Sequence, residues 1–350
     1  MNISRNNNFD LIRLIAAFQV LLWHGAEHLG VFKGLYGFFV LLYQFPGVPI
    51  FFTISGFLIS YSLERNNFDL KKYFKNRSLR IFPALWLCTI VTAILLFSFG
   101  ELTVLKDFIT WFLAQITFFQ FYASPSLKTW GVGHPNGSLW SVAIELQFYL
   151  ILPVILYFIA KIQKLWLINI ALFGLFVISI FIKDIHLNNP WMLKHELYDK
   201  LLGNTVLVYL YFFLTGIAIY KNFYWIEKFL KGKALIWFVI YVVYALVVHG
   251  WLELYNYPYD ISIAGIIANT ILSLLTISFA FSYTDLSKKL LHENDISYGI
   301  YVYHMPIINA MLSLGFVGNV WYLVILVILT TIFAFLSWKF IEQRALKLKM

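Results

Sequence analysis

A chain of 350 residues that is 61% hydrophobic, 20% aromatic and only 12% charged, with a mean hydropathy of +0.77, lies outside the range of soluble domains. Its net charge of +9 would suggest nucleic acid in a soluble chain. Here the basic residues are set first against membrane topology, and no nucleic-acid partner is expected. Apolar runs recur from residue 9 to 341 with short polar connectors, so the chain reads as an all-α polytopic membrane protein, one membrane domain over 1–350. Cys88 is the only cysteine and lies inside an apolar run, which excludes a disulfide framework and a cysteine-based metal site.

In chain order, windows of spanning length fall at 9–29, 45–63, 81–99, 138–159, 165–182, 204–220, 234–250, 261–283, 296–315 and 320–341, with a shorter, ambiguous one at 108–122. The first is expected to be retained, since Arg13, His24, Glu27 and His28 interrupt it and no clean cleavage site follows. Basic residues arbitrate the ambiguity. Ten crossings from a cytoplasmic N-terminus put 20 of the 26 Lys and Arg inside, whereas an eleventh at 108–122 leaves 12 inside and 14 outside. The positive-inside rule therefore favours about ten spans with both termini cytoplasmic. Residues 108–122 become a short re-entrant or interfacial helix, tolerable where protein covers its backbone.

The first span, "FDLIRLIAAFQVLLWH", carries Arg13 and His24 eleven residues apart. At 100° per residue they fall within about 20° of one face and about 16 Å apart along the axis. Arg13 alone reads as a snorkelling anchor and His24 alone as a bridge to a neighbouring helix. Together they read as functional, because ionisable groups inside a membrane cost roughly 2.5–3.5 kcal/mol each. The second span, "FFTISGFLIS", sets Ser55 and Gly56 mid-helix, where small residues permit close helix approach.

The loop "RNNFDLKKYFKNRSLRIFP" presents Arg77 and Arg80 at i, i+3, suited to gripping a phosphate by bidentate forks. Topology signalling or anionic-lipid contact explains the same charges. "GVGHPNG", residues 131–137, lacks the context of a nucleotide loop and reads as an outer turn. "NGSLWSVAIELQFYLILP" repeats Ser141, Glu145 and Tyr149 at i, i+4, i+8 on one face. Glu145 is expected at a depth close to that of His24, where a carboxylate and an imidazole make a general base; a Glu tied to an Arg or Tyr for packing is the alternative. "ISYGIYVYHMP" opens the ninth span with Tyr298, Tyr301 and His304 at threefold spacing. There His304 either assists a reaction or bridges helices.

Taken in order and leaving "GVGHPNG" aside, the other five segments resemble the signature segments of the acyltransferase-3 family of integral membrane acyltransferases, over residues 9 to about 341. The resemblance implies a cytosolic acetyl-CoA or other acyl-CoA donor, no metal, and an acceptor hydroxyl on a cell-envelope glycan or lipid-linked saccharide. It implies the bacterial cytoplasmic (inner) membrane as location. Carried over by motif, His24 is the catalytic base or transient acyl carrier, Arg13 its partner, Arg77 and Arg80 with Arg13 the CoA contacts, and Glu145 the acidic position. Ser141, Tyr149, Tyr298, Tyr301, His304 and Ser55 are substrate or supporting residues. Many relatives add an extracytoplasmic hydrolase-like domain after the membrane part. None follows here, which makes standalone action or a separate partner protein the expectation. A proton-coupled transporter or flippase, with His24, Glu145 and His304 relaying protons, is the rival reading. The sequence leaves the sugar, the acyl chain and the oligomeric state open.

Overall fold

Asn8 is a short polar residue just ahead of the apolar stretch that forms the first helix. It is buried, its Nδ2 donates to the carbonyls of Phe279, Ser282 and Tyr283, and its Oδ1 accepts from the Ser287 amide. Every polar atom of that side chain thus finds a partner, as burial demands. The computed structural model describes residues 6–32, 35–254, 259–292 and 294–349; Arg5 and Lys33 of the charge tally lie outside them.

The described residues form helices and no strand. In order they are α1 (Phe9–His28), α2 (Tyr36–Tyr43), α3 (Gly47–Arg65), α4 (Leu70–Ser98), α5 (Leu105–Ile116), α6 (Trp140–Ala160), α7 (Leu165–Asn188), α8 (Pro190–Lys194) and α9 (Glu196–Gly203). There follow α10 (Leu210–Leu230), α11 (Ala234–Tyr244), α12 (Ile263–Ala280), α13 (Leu286–Leu291), α14 (Ser297–Ser313), α15 (Trp321–Ser337) and α16 (Gln343–Leu346). α11 runs on as a π-helix over Ala245–Trp251, and α15 as another over Trp338–Glu342.

Eight segments among the described residues are long and apolar enough to cross a membrane: Phe9–His28, Tyr36–Arg65, Leu70–Ser98, Gly137–Ala160, Leu165–Asn188, Ala234–Trp251, Ile263–Ala280 and Trp321–Leu346. They cover eight of the ten expected windows. The other two windows, 204–220 and 296–315, correspond to α10 and α14, both buried along much of their length. A helix walled by protein is free to carry polar groups that a lipid-facing one is not. The window 108–122 is α5, whose 12 residues extend about 18 Å, short of the roughly 30 Å hydrocarbon core.

The chain divides into two compact units, Met1–Arg13 with Gln44–Leu70 and Ile144–Glu293, and Leu14–Tyr43 with Lys71–Ala143 and Asn294–Met350. In the first, α3 and α10 cross with backbones in contact. A Cβ on Gly56 would sit 2.1 Å from the Phe213 carbonyl oxygen, and one on Gly216 would sit 2.2 Å from that of Thr53. Glycine at both positions is what lets the helices approach so closely. Phe213 stacks between Phe52 and Phe148 at 4.4 and 4.0 Å. Lys183, on α7, is buried among the rings of Tyr209, Tyr211 and Tyr259, an aromatic cage that stabilises an ammonium withdrawn from water.

In the second unit, α14 packs against α15 where Gly299 faces Ala334; a Cβ on Gly299 would stand 2.7 Å from the Ala334 Cα. The turn after α4 is held by a buried cluster of Leu96, Trp111, Leu127 and Trp130. Trp111 is the inward side of α5, and Asp107 on that helix accepts the Ser126 amide at 2.9 Å.

Candidate functional site

The second unit assembles its polar interior around α14, and the reason starts with Pro306 inside that helix. Proline has no amide hydrogen, so the Val302 carbonyl four residues earlier loses its helical donor. In a water-free interior that carbonyl needs another donor. It receives two, Asn136 Nδ2 at 2.9 Å and the Cys88 thiol at 3.2 Å. The same loop adds Ser138 Oγ to the Tyr301 carbonyl at 3.3 Å, while Tyr301 Oη donates to the Ser138 carbonyl at 3.0 Å and meets Ser141 Oγ at 2.5 Å.

Asn309, one turn further, accepts the Val132 amide and donates to the carbonyls of His134 and Pro135. Gly131 has a φ of +56°, and a Cβ there would run into Asn309 Oδ1 at 2.2 Å, so the turn requires glycine. "GVGHPNG" is thus an ordered turn nailed to α14. Two segments that the sequence offered separately, "NGSLWS" and "SYGIYVYHMP", are one structural piece, with Ser141 and Tyr301 as its pin. Tyr298 is half-buried at the start of the same helix.

α14 also carries His304, fully buried, against His24 of α1. The rings stack at 5.2 Å with 25° between planes, and His24 Nδ1 lies 3.0 Å from His304 Nε2. One nitrogen of that pair must donate and the other accept. His24 is half-buried, and the His28 ring stands 5.9 Å from it. Tyr301 meets the His304 ring edge to face at 5.8 Å. The pair is a hydrogen-bonded dyad with one member reaching beyond the packed interior, the arrangement a general base requires.

In the first unit Glu145 is half-buried on α6. Its Oε1 accepts from Ser55 Oγ and Tyr149 Oη, both at 2.6 Å. Both bonds go to one oxygen, which leaves Oε2 without a hydrogen bond among the described residues. Of the face read as Ser141, Glu145 and Tyr149, the structure joins the last two to each other and to Ser55. Ser141 is instead spent on Tyr301.

The arginines differ from one another. Arg13 is half-buried and bonds Asp10 in the first turn of α1 at 2.9 Å. Arg77 and Arg80 both lie on α4 and are half-buried, and Arg77 is in no ion pair among the described residues. Arg80 pairs with the buried Asp295, which also takes the Ser297 amide and hydroxyl. A phosphate reaching Arg80 would share its guanidinium with that carboxylate.

Sequence reading did not single out Asp295, Asn136, Asn309 or Glu342. Glu342 is buried just past the last expected span, accepts from Ser337 Oγ at 3.0 Å, and has Arg80 as a compensating charge. Two signals were present: a proline inside an apolar span, announcing an unsatisfied carbonyl, and a lone carboxylate at the edge of an apolar run.

Residues 6–339 match the family described as acyltransferase domain. The chain is 31% identical to nodulation protein 10 of Rhizobium leguminosarum bv. viciae, over 98% of this chain and 94% of that one. It is 27% identical to the O-acetyltransferase OatA of Staphylococcus aureus over 85% of this chain and 52% of the relative. Against the peptidoglycan O-acetyltransferase OatA of Listeria monocytogenes the figures are 28%, 85% and 50%. The chain therefore spans nearly all of the first and about half the length of each OatA. No solved structure matches.

Proposed function

The chain belongs to the acyltransferase domain family that it matches over residues 6–339, and from that premise we propose that it transfers an acyl group, most simply acetyl, from cytosolic acyl-CoA to a hydroxyl of a cell-envelope or lipid-linked glycan. The reading takes its acceptor class from the relatives named O-acetyltransferases. The observation that carries the mechanism is the His24–His304 dyad, inside the helices of an integral membrane protein. His304 engages one nitrogen of His24, and the other is the base for the substrate.

In the proposed step the acceptor oxygen attacks the thioester carbonyl carbon as His24 takes its proton. The C–O bond forms, the C–S bond breaks, and the departing thiolate receives that proton from the imidazolium, giving an ester and free CoA. A thioester is already activated, so the protein's work is to position two substrates and supply a base away from bulk water. Arg77 is the proposed first contact of the CoA phosphates, with Arg80 contributing the edge it does not give to Asp295. Arg13 keeps its motif role in donor use. Glu145 is the proposed carboxylate of the reaction, and Ser55 and Tyr149 hold its Oε1 in place.

The test is purified protein in lipid nanodiscs with labelled acetyl-CoA and envelope glycan fragments. Free CoA and labelled glycan should appear together and vanish in His24→Ala, with the variant still inserted. Wild-type turnover in that variant would remove His24 from the mechanism, and solute uptake without CoA consumption would favour transport. We place the protein in the bacterial cytoplasmic membrane with ten spans and both termini inside. A C-terminal reporter active only outside the cell should stay silent.

A further inference from the structure

Among the described residues Lys183 is the one buried lysine, and an ammonium within a spanning helix is costly enough to call for a function. It carries three N–H donors and makes one hydrogen bond among the described residues, to Tyr211 Oη at 3.3 Å. The rings of Tyr209, Tyr211 and Tyr259, centred 5.1, 5.3 and 5.3 Å from Nζ, attract the charge without supplying an oxygen to the other two donors. Tyr211 is buried, whereas Tyr209 and Tyr259 are half-buried. Asp260 follows Tyr259 in the chain, accepts the Ser262 amide at 2.7 Å, and its charge acts on Lys183.

The cluster shares its unit with Glu145. Ser55, the donor to Glu145 Oε1, lies three residues from Phe52 on α3, about one helical turn or ~4.5 Å, and the Phe52 ring is centred 6.2 Å from that of Tyr209. Glu145 stands five residues from the Trp140 end of α6, and Lys183 five from the Asn188 end of α7. Both are therefore about 8 Å in from helix ends that are outer in the ten-span reading. We propose that Lys183, Tyr209, Tyr259 and Asp260 form a saccharide subsite that holds a sugar unit of the acceptor on the outer side of Glu145. A sugar meets every need of the cluster: its C–H face lies against tyrosine rings, and its hydroxyls both accept from an ammonium and donate to a carboxylate. A lone anion would meet the charge of Asp260 as well as that of Lys183, so phosphate fits poorly. That the bound sugar is acylated rests on the function proposed above; that a sugar binds here does not.

The experiment measures binding without turnover. Full-length protein in lipid nanodiscs, with no acyl-CoA present, is titrated with neutral oligosaccharides released from bacterial envelope glycan, and then with inorganic phosphate as competitor. The oligosaccharides should bind, and phosphate should not displace them. Lys183→Met replaces a buried charge with an apolar chain, so it should melt no lower than the wild type and should weaken oligosaccharide binding ~10-fold or more. Tyr259→Ala should weaken it ~5-fold or more, whereas Tyr259→Phe keeps the ring and should stay within ~2-fold. If Lys183→Met fails to fold, the two Tyr259 variants decide. In the transfer assay Lys183→Met should raise KM for the glycan by the same factor and leave KM for acetyl-CoA unchanged.

Wild-type affinity in both Lys183→Met and Tyr259→Ala overturns the subsite and returns the lysine to helix packing. So does displacement by phosphate, which would make the cluster an anion site, and so does a wild-type protein that binds none of the oligosaccharides. Oligosaccharide binding that is lost in Lys183→Met, with no CoA released on any glycan by the wild type, would instead overturn the transfer reading and leave the subsite standing.

Discussion

Because Pro306 deprives the Val302 carbonyl of its helical donor, Asn136 and Pro306 should be energetically coupled although 170 positions separate them in the sequence. In the wild type, Asn136 Nδ2 bonds that carbonyl at 2.9 Å. Asn136→Ala leaves it with the Cys88 thiol at 3.2 Å, a weak donor. Leaving a buried carbonyl undersupplied costs about 1–3 kcal/mol. In Pro306→Ala the restored amide bonds Val302 through the helix, so removing Asn136 from that background should cost less. Coupling energies of this kind inside membranes average ~0.6 and reach ~1.7 kcal/mol. The expected coupling is therefore about 1 kcal/mol, with the double variant more stable than the sum of the singles. The assay is a four-member cycle of thermal melts in detergent, where 1 kcal/mol corresponds to roughly 2–4 °C for chains of 150–250 residues. Strict additivity within ~0.3 kcal/mol would show that the carbonyl freed by proline is not what Asn136 serves.

Gly216→Ala should lower thermal stability by about 1–3 kcal/mol or more, because its methyl would lie 2.2 Å from the Thr53 carbonyl oxygen and overpacking costs that much. Gly174→Ala, with nothing within 4 Å of the added carbon, should be neutral or gain up to ~1 kcal/mol from helix propensity, and a matching loss at both sites would refute the close-crossing argument. Ser55→Ala and Tyr149→Phe each remove one bond to Glu145 Oε1, worth about 1.5–3 kcal/mol for a charged acceptor. Both should reduce acyl transfer about tenfold or more while the protein still elutes as a folded species; unchanged kcat in both would detach Glu145 from the reaction. Arg77→Ala should weaken acyl-CoA binding, more so at low salt, without altering the melting temperature. Arg80→Ala should lower both, since it also strands Asp295, and a normal melting temperature would return Arg80 to a purely ligand-binding role.

The helices were legible because lipid demands long apolar runs, and composition alone excluded a soluble fold. α10 and α14 were legible as apolar windows too, although protein rather than lipid surrounds much of each. His24 and His304 both stood out as ionisable groups in apolar segments, but their pairing was not readable, since nothing local links positions 280 residues apart. Arg80 shows another long-range partner that spacing does not reveal. Its spacing from Arg77 suggests a phosphate fork, and its ion-pair partner Asp295 lies 215 residues away in a polar connector. Gly56 was read as a site of close approach, and the structure supplies the missing half, Gly216. At Ser141 periodicity gives the face shared with Glu145, and the structure adds the partner of its hydroxyl, Tyr301.

The bond between the 136–141 segment and α14 has a bearing on how the chain is made. Synthesis delivers Asn136 and Ser138 to the membrane long before Val302 emerges, a gap of 166 residues for the Asn136 bond. Until then those side chains have no α14 to cap, and when α14 arrives its proline-freed carbonyl finds its donors only if the earlier loop has stayed in place. Completion of the second unit therefore waits on the synthesis of α14, 166 residues after Asn136 for that bond, and a chain halted before α14 leaves the polar seam half-built.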